Sequence, residues 1–115
     1  MTALGKDADG IIFDGTELEL TDSKVEASSR FRSQYKSRFN SEPYQVAGFA
    51  YDSVLLLASG ALKKGTFSIP DKTTLVSLSP FQGVMGPIEF DAQGECRIPL
   101  RLMKRQNDAT VQIAE

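Results

Sequence analysis

The chain contains no histidine and no tryptophan, and its one cysteine is Cys96. Without an imidazole, catalysis through a histidine base and metal sites that need His ligands are excluded. A single thiol makes no internal disulfide and no multi-cysteine metal site. Cys96 is expected to be a small strand residue half-packed against the core. Charge of one sign is also scarce: 13 Lys plus Arg stand against 15 Asp plus Glu, a net −2. Nucleic-acid binders carry a clear basic excess, which is missing here. No run approaches the roughly 18–20 apolar residues that span a bilayer. The opening Met1-Thr2-Ala3-Leu4-Gly5-Lys6-Asp7 lacks the basic start and apolar stretch of a secretory leader. That leaves a cytosolic protein, or a mature or truncated chain read without its leader.

What is present is enough for one domain. A chain of 115 residues with 41% apolar content can fill one modest core. Gly10-Ile11-Ile12-Phe13 reads as a short, buried and parallel-type strand, because its apolar run does not alternate. Thr16–Leu20 alternates but is short, and fits extended loop or strand. Ser23-Lys24-Val25-Glu26 has capping-box spacing and opens a helix to about Asn40. Phe31, Tyr35 and Phe39 recur every four residues, joined by Val25 and Ser28, as one apolar stripe laid on a core. Arg30, Arg32, Lys36 and Arg38 make its wet face.

A second helix runs from about Tyr44 to Lys64, with Gly65 as its C-terminal cap. Apolar residues surround most of its circumference, so it is expected to be central and the main contributor to the core. Gly60 inside it costs about 1 kcal/mol against Ala and calls for a packing reason or a frayed last turn. A short helical segment begins at Ile69-Pro70-Asp71, runs through Leu78 and breaks at Ser79-Pro80. Phe81 to Phe90 reads as a loop or bulged strand, and Asp91–Glu95 as a hairpin turn with Gly94 at positive φ. A strand Cys96–Lys104 follows, with Ile98, Leu100 and Leu102 on one face and Arg97, Arg101 and Met103 on the other. Asn107-Asp108 is a turn before a last strand, Thr110–Ile113. The expected class is α/β, in the order β-α-α-α-β-β-β, with helices packed on a mixed sheet.

Motifs for chemistry were tested and fail. Gly60 to Gly65-Thr66 has the glycine spacing of a phosphate loop but lacks Lys between the last Gly and the hydroxyl, and it ends a helix instead of opening one. Asp7, Asp9 and Asp14 do not keep calcium-loop spacing, since Ile11 stands at the third ligand position. No Gly-x-Ser-x-Gly elbow exists. Neither an enzyme activity nor a cofactor is expected.

A set of landmarks remains. Ala8-Asp9-Gly10-Ile11-Ile12-Phe13 precedes the helix with Phe31 and Tyr35, and Pro43 follows. Next come Ala50-Tyr51-Asp52-Ser53-Val54 and Ala61-Leu62. The set closes on Phe81-x-Gly83-Val84-x-Gly86-Pro87-Ile88-x-Phe90-Asp91-x-x-Gly94-Glu95. In this order and spacing, residues 8–113 resemble the C-terminal third of the type I periplasmic binding proteins, particularly the leucine/isoleucine/valine-binding family. The resemblance implies a partial α/β lobe of a two-lobed protein that closes on a small solute such as an amino acid. An ABC permease would receive the cargo, in a periplasmic or extracytoplasmic setting. The alternative it leaves open is a non-transport interaction domain of the same fold, a lipoprotein activator of cell-wall synthesis or a piece of a receptor ectodomain.

Several residues take roles only through that resemblance. Hinge crossings would fall near Phe13–Thr16 and Ile98–Leu102. Tyr44 and Val46 would sit at the rim of the interlobe cleft and brush a ligand, the plainer reading being that they begin and pack the helix. Tyr51 and Asp52 match a Tyr-Asp pair read as structural, ring in the core and carboxylate in a local hydrogen bond. The compressed Ser79-Pro80 loop and Gly60 depart from the pattern. Residues 1–115 are thus expected to be a single fragment or truncated domain. Its central helix would expose the face that packs on a parallel sheet, and the isolated chain would form a homo-oligomer.

Overall fold

In the computed structural model, residues 7–66 and 68–114 are described. Strand β1 (Ile12–Gly15) leads into a 3-10 turn at Glu17–Glu19. Helices α1 (Glu26–Phe39), α2 (Gln45–Lys64) and α3 (Lys72–Ser77) follow. Strands β2 (Phe81–Gly83), β3 (Gly86–Phe90), β4 (Cys96–Arg97), β5 (Arg101–Gln106) and β6 (Ala109–Ala114) complete the chain. The class is α/β. The strands form two separate antiparallel sheets, ordered β1-β5-β6 and β2-β3-β4, where one mixed sheet was expected.

The first strand differs from its sequence reading. It starts two residues later, pairs antiparallel with β5 through Ile12↔Lys104 to Gly15↔Arg101, and leaves Ile12 57% exposed. An apolar run alone does not say what lies on either side of it. The segment Thr16–Leu20 is neither loop nor strand: the 3-10 turn drives Leu18 into the core.

Helix α1 begins at Glu26 behind Val25, not at a Ser23 capping box. The Ser23 hydroxyl instead donates to Glu17 at 2.5 Å and accepts from the Val25 amide. Reciprocal bonding of the expected kind appears at the 3-10 turn, where Glu19 accepts from both the amide and the hydroxyl of Thr16. Asn40, at φ 52°, ends α1. Along the helix the stripe is real but only partly covered. Phe31 is buried, Tyr35 half-buried and Phe39 57% exposed. The basic face is solvated and paired, Arg30 with Glu26, and Arg32 and Lys36 with Glu42.

Helix α2 matches its expected limits, and Gly65 at φ 70° caps it. Its expected place at the centre does not hold within this chain: only Gly48, Asp52 and Gly60 are buried along it. It is also long and apolar enough, by length and composition, to cross a membrane, contrary to the reading that no run approaches that span. The polar Asp52 in its middle is instead bonded into the protein, as described below. Gly60 has the packing reason its cost demanded, since a Cβ there would lie 2.4 Å from Pro70 Cγ.

Phe81 to Phe90 is a hairpin, β2 pairing β3 in the register Phe81↔Ile88. The Asp91–Glu95 turn is present, with Gly94 at φ 87° and Asp91 accepting from the Gln93 and Glu95 amides. The single strand expected over Cys96–Lys104 is split. Its first two residues pair with β3, Ile98-Pro99-Leu100 crosses over, and Arg101 begins the partner of β1. Pro99 lacks the amide a continuous ladder needs. The split also reverses the faces: Met103 is fully buried, while Leu100 and Leu102 are 63% and 46% exposed. Cys96 is exposed, not half-packed. The core is small: Leu18, Phe31, Val84 and Met85, backed by Ala27, Tyr35, Ala47 and Ile98.

Candidate functional site

The turn between β2 and β3 holds the helices in place. Asp52, on α2, accepts hydrogen bonds from the amides of Val84 at 2.8 Å and Met85 at 3.1 Å. Ser28, on α1, donates to the Val84 carbonyl at 2.7 Å. Glu17, on the 3-10 turn, donates its amide to the Met85 carbonyl. One four-residue turn is therefore gripped by three elements. Gly83 is required there, because a Cβ would lie 2.3 Å from the Asp52 carboxylate. Gly48 allows α2 to approach, since a Cβ would meet Met85 Sδ at 2.2 Å. Burial raises the Asp52 pKa against the opposing pull of the two amides. Its hydrogen bonds are long-range, not local as expected from sequence. Tyr51 is not a core ring either: it is 41% exposed and packs at a tilt against Phe31, with centroids 4.7 Å apart and ring planes 47° apart.

This framework presents the start of α2 to solvent. Tyr44 is the N-cap, extended at φ −93° and ψ 162°, and its carbonyl accepts from the Ala47 and Gly48 amides. Tyr44 and Val46 are 69% and 75% exposed. They stand at the start of the helix with their side chains largely exposed.

Two concavities lie beside α1. One is an apolar groove of about 400 Å³ between α1 and α2, lined by Phe31, Tyr35, Phe39, Tyr51, Val54 and Leu55 with Ala47 and Ala50. The other, of about 210 Å³, is polar and includes Ser23, Ser29, Arg32, Lys36 and Glu42. Neither is lined by Tyr44 or Val46. In the polar cleft Glu42 bridges Lys36 at 2.9 Å and Arg32 at 3.2 Å. Burial works upward on the Glu42 carboxyl, but hydrogen bonds and charge from Lys36 and Arg32 outweigh it and lower its pKa. The cations of that cleft are thus already engaged.

The two segments where hinge crossings were expected reach each other within one sheet, through β1 and β5. Gly15 and Arg101 are paired across β1 and β5. Next to them the Arg101 guanidinium lies 2.9 Å from Glu17, whose side chain is 6% exposed. Arg101 also donates to Gln112 at 2.7 Å. Sequence reasoning missed Ser28, Glu17 and Arg101 as organising residues. Only the Gly83-Val84-x-Gly86 spacing pointed to their meeting place. Among the described residues no group of three or more Cys, Asp and Glu side chains is gathered to hold a metal ion.

No family model matches the chain. Solved structures do. A substrate-binding protein of an ABC transporter from Desulfitobacterium hafniense, in complex with Leu, matches with a TM-score of 0.74 at 24% identity over 92% of this chain. The branched-chain amino acid transporter substrate-binding protein LivJ of Streptococcus pneumoniae, in complex with isoleucine, matches at 0.72 and 26% identity over 96%. A solute-binding protein of an ABC transporter from R. palustris, in complex with benzoate, matches at 0.77 and 18% identity over 98%. All three are substrate-binding proteins, not enzymes. This chain spans about a third of their length, 32%, 32% and 31% respectively. With nearly all of its residues superposed on one part of these larger molecules, the chain has the α/β fold of a partial lobe of the type I periplasmic binding proteins.

Proposed function

We propose that the chain is part of a solute-binding component of an ABC-type importer, working outside the cytoplasm on branched-chain or other amino acids. The observation that carries this reading is the superposition of 92% or more of the chain on proteins whose structures hold leucine, isoleucine or benzoate. In it, Tyr44 and Val46 contact the solute at the cleft rim, and an ABC permease receives the cargo. Residues 1–115 are one piece of a two-lobed protein, and on its own the chain associates into a homo-oligomer.

The test uses the chain alone and the chain grafted in place of the matched third of the Streptococcus pneumoniae protein. The chain alone shows no thermal shift with leucine or isoleucine, because half the cleft is missing. The graft is stabilised by isoleucine, by about 2.7 kcal/mol at a hundredfold excess over Kd. Tyr44→Ala and Val46→Ala each weaken that binding without lowering the helical dichroism. A folded graft that ignores every amino acid overturns the transport reading in favour of the non-transport interaction domain.

A further inference from the structure

The connection between α1 and α2 is held by one side chain. Asn40 ends α1 in the left-handed region, and Tyr44 is the N-cap of α2. Residues 41–43 lie between them and make no backbone–backbone hydrogen bond among the described residues. Their polar contacts there are those of the Glu42 carboxylate, to Lys36 at 2.9 Å and to Arg32 at 3.2 Å. Arg32 is itself anchored: its side chain is 19% exposed, and its guanidinium also donates to the carbonyl of Leu20, just after the 3-10 turn. A planar guanidinium bridging two acceptors in this way is a rigid seat.

What the seat controls follows from the chain beyond it. Tyr44 has extended backbone, φ −93° and ψ 162°, so its direction is set by how the chain enters the helix. That entry has little freedom once Glu42 is fastened. Pro43 locks its own φ at about −65° and biases the residue before it to extended conformations. One turn further on, Gly48 lets α2 close on Met85 and Leu18 and so fixes the helix axis. Tyr44 and Val46 therefore stand between two fixed points, Glu42 and Gly48. The cleft around Arg32 and Lys36 is not a receptor for a free anion, because the tethered carboxylate competes at an effective concentration on the order of millimolar.

We infer that Glu42 is a positioning residue: seated on Arg32 and Lys36, it fastens the α1–α2 connection and so sets where Tyr44 and Val46 stand to meet solute. This role rests on the rim contact proposed above, but the fastening can be measured without solute. An ion pair this exposed is worth up to about fivefold in an equilibrium. Losing the competent arrangement raises the apparent Kd by the inverse of its remaining population.

Hydrogen exchange is followed in the full chain at the Ala47 and Gly48 amides, both bonded to the Tyr44 carbonyl, with the Val54 amide in the middle of α2 as reference. Glu42→Gln keeps the size of the side chain and removes its charge. The two amides then exchange up to about fivefold faster while Val54 is unchanged. The double variant with Arg32→Gln exchanges no faster than Arg32→Gln alone, because the two residues act as one unit. In the graft described above, Glu42→Gln raises the isoleucine Kd by up to about fivefold and moves the unfolding midpoint by less than about 2 °C. A merely structural role does the reverse, lowering the midpoint and sparing the Kd. Lys36→Gln shows the same pattern more weakly and carries the test should Glu42→Gln fail to fold. Amides indifferent to both substitutions overturn the fastening, whatever the graft binds. Loosened amides with an unchanged isoleucine Kd overturn the positioning role. Loosened amides in a graft that binds no amino acid sink the solute-binding reading and leave the fastening standing.

Discussion

Asp52 shows how one carboxylate can orient a helix. Its two oxygens satisfy adjacent amides of a buried turn, so Asp52→Ala strands both donors at a cost of roughly 1–3 kcal/mol each. Urea unfolding will read the loss as a lower midpoint with little change in slope. Its pH dependence has a definite sign. Burial raises the folded pKa above the ordinary 3.8, so the folded state holds the proton more tightly than the unfolded chain. Ionisation of Asp52 therefore removes stability as pH rises from about 3.8 through the folded value. The stability difference between the native chain and Asp52→Asn shrinks over that window. Gly48→Ala is a separate test of the same contact: a Cβ 2.2 Å from Met85 Sδ forces repacking, for about 1–3 kcal/mol. Neither residue's role was legible beyond its type. Asp52 stood out as a charge on an apolar helix, but its partners lie 32 and 33 residues away, and no local rule joins them.

Elements were legible where their signals were local. The limits of α2 followed from Pro43 and Gly65, α3 from Asp71 and the break at Ser79-Pro80, and the turns from Gly94 and Asn107-Asp108. Asp71 caps α3 by accepting from the Thr74 amide and hydroxyl while pairing with Lys64 at 2.9 Å. Thr74 and Lys64 hold its carboxyl well below the usual range. Its contribution is present above pH 3.8, the unfolded value, and is lost as pH falls through the depressed folded one. Asp71→Ala should thus lower the thermal midpoint at pH 7 and matter progressively less in strong acid. Strand partners were not legible, because they depend on distant chain. Nothing local in Cys96–Lys104 except Pro99 marks the point where it changes sheets. Just after that crossing Arg101 ties β5 to the 3-10 turn through Glu17. Arg101→Met leaves Glu17 buried with only Ser23 for company, at a cost between the ~1 kcal/mol of a surface pair and the 3–5 of a buried one. Thermal melts will show Glu17→Gln to be milder.

At the scale of the whole molecule the chain is too open for its size. Its radius of gyration is 15.9 Å and its extents are 49 × 31 × 22 Å, against about 13 Å for a compact domain of this length. The apolar content sufficed to place one core, yet much of it lies on the outside of α2. Composition alone could not distinguish a helix buried by its own chain from one awaiting a sheet. The ordered landmarks from Ala8 to Glu95 carry information that composition does not: they single out the fold of solved structures of which this chain spans about a third. Light scattering of the isolated chain should give a mass above 12.6 kDa that falls with dilution and with Val54→Glu.

The aromatic residues make the apolar groove between α1 and α2 self-reporting. The chain has no tryptophan and three tyrosines, Tyr35, Tyr44 and Tyr51. Tyr35 and Tyr51 line the groove, and Tyr44 is the N-cap of α2. Of the three tyrosine emitters of the unlabelled polypeptide, two thus lie in the apolar groove itself. A titration followed by that glow alone would reveal when, and with what stoichiometry, the surface is capped.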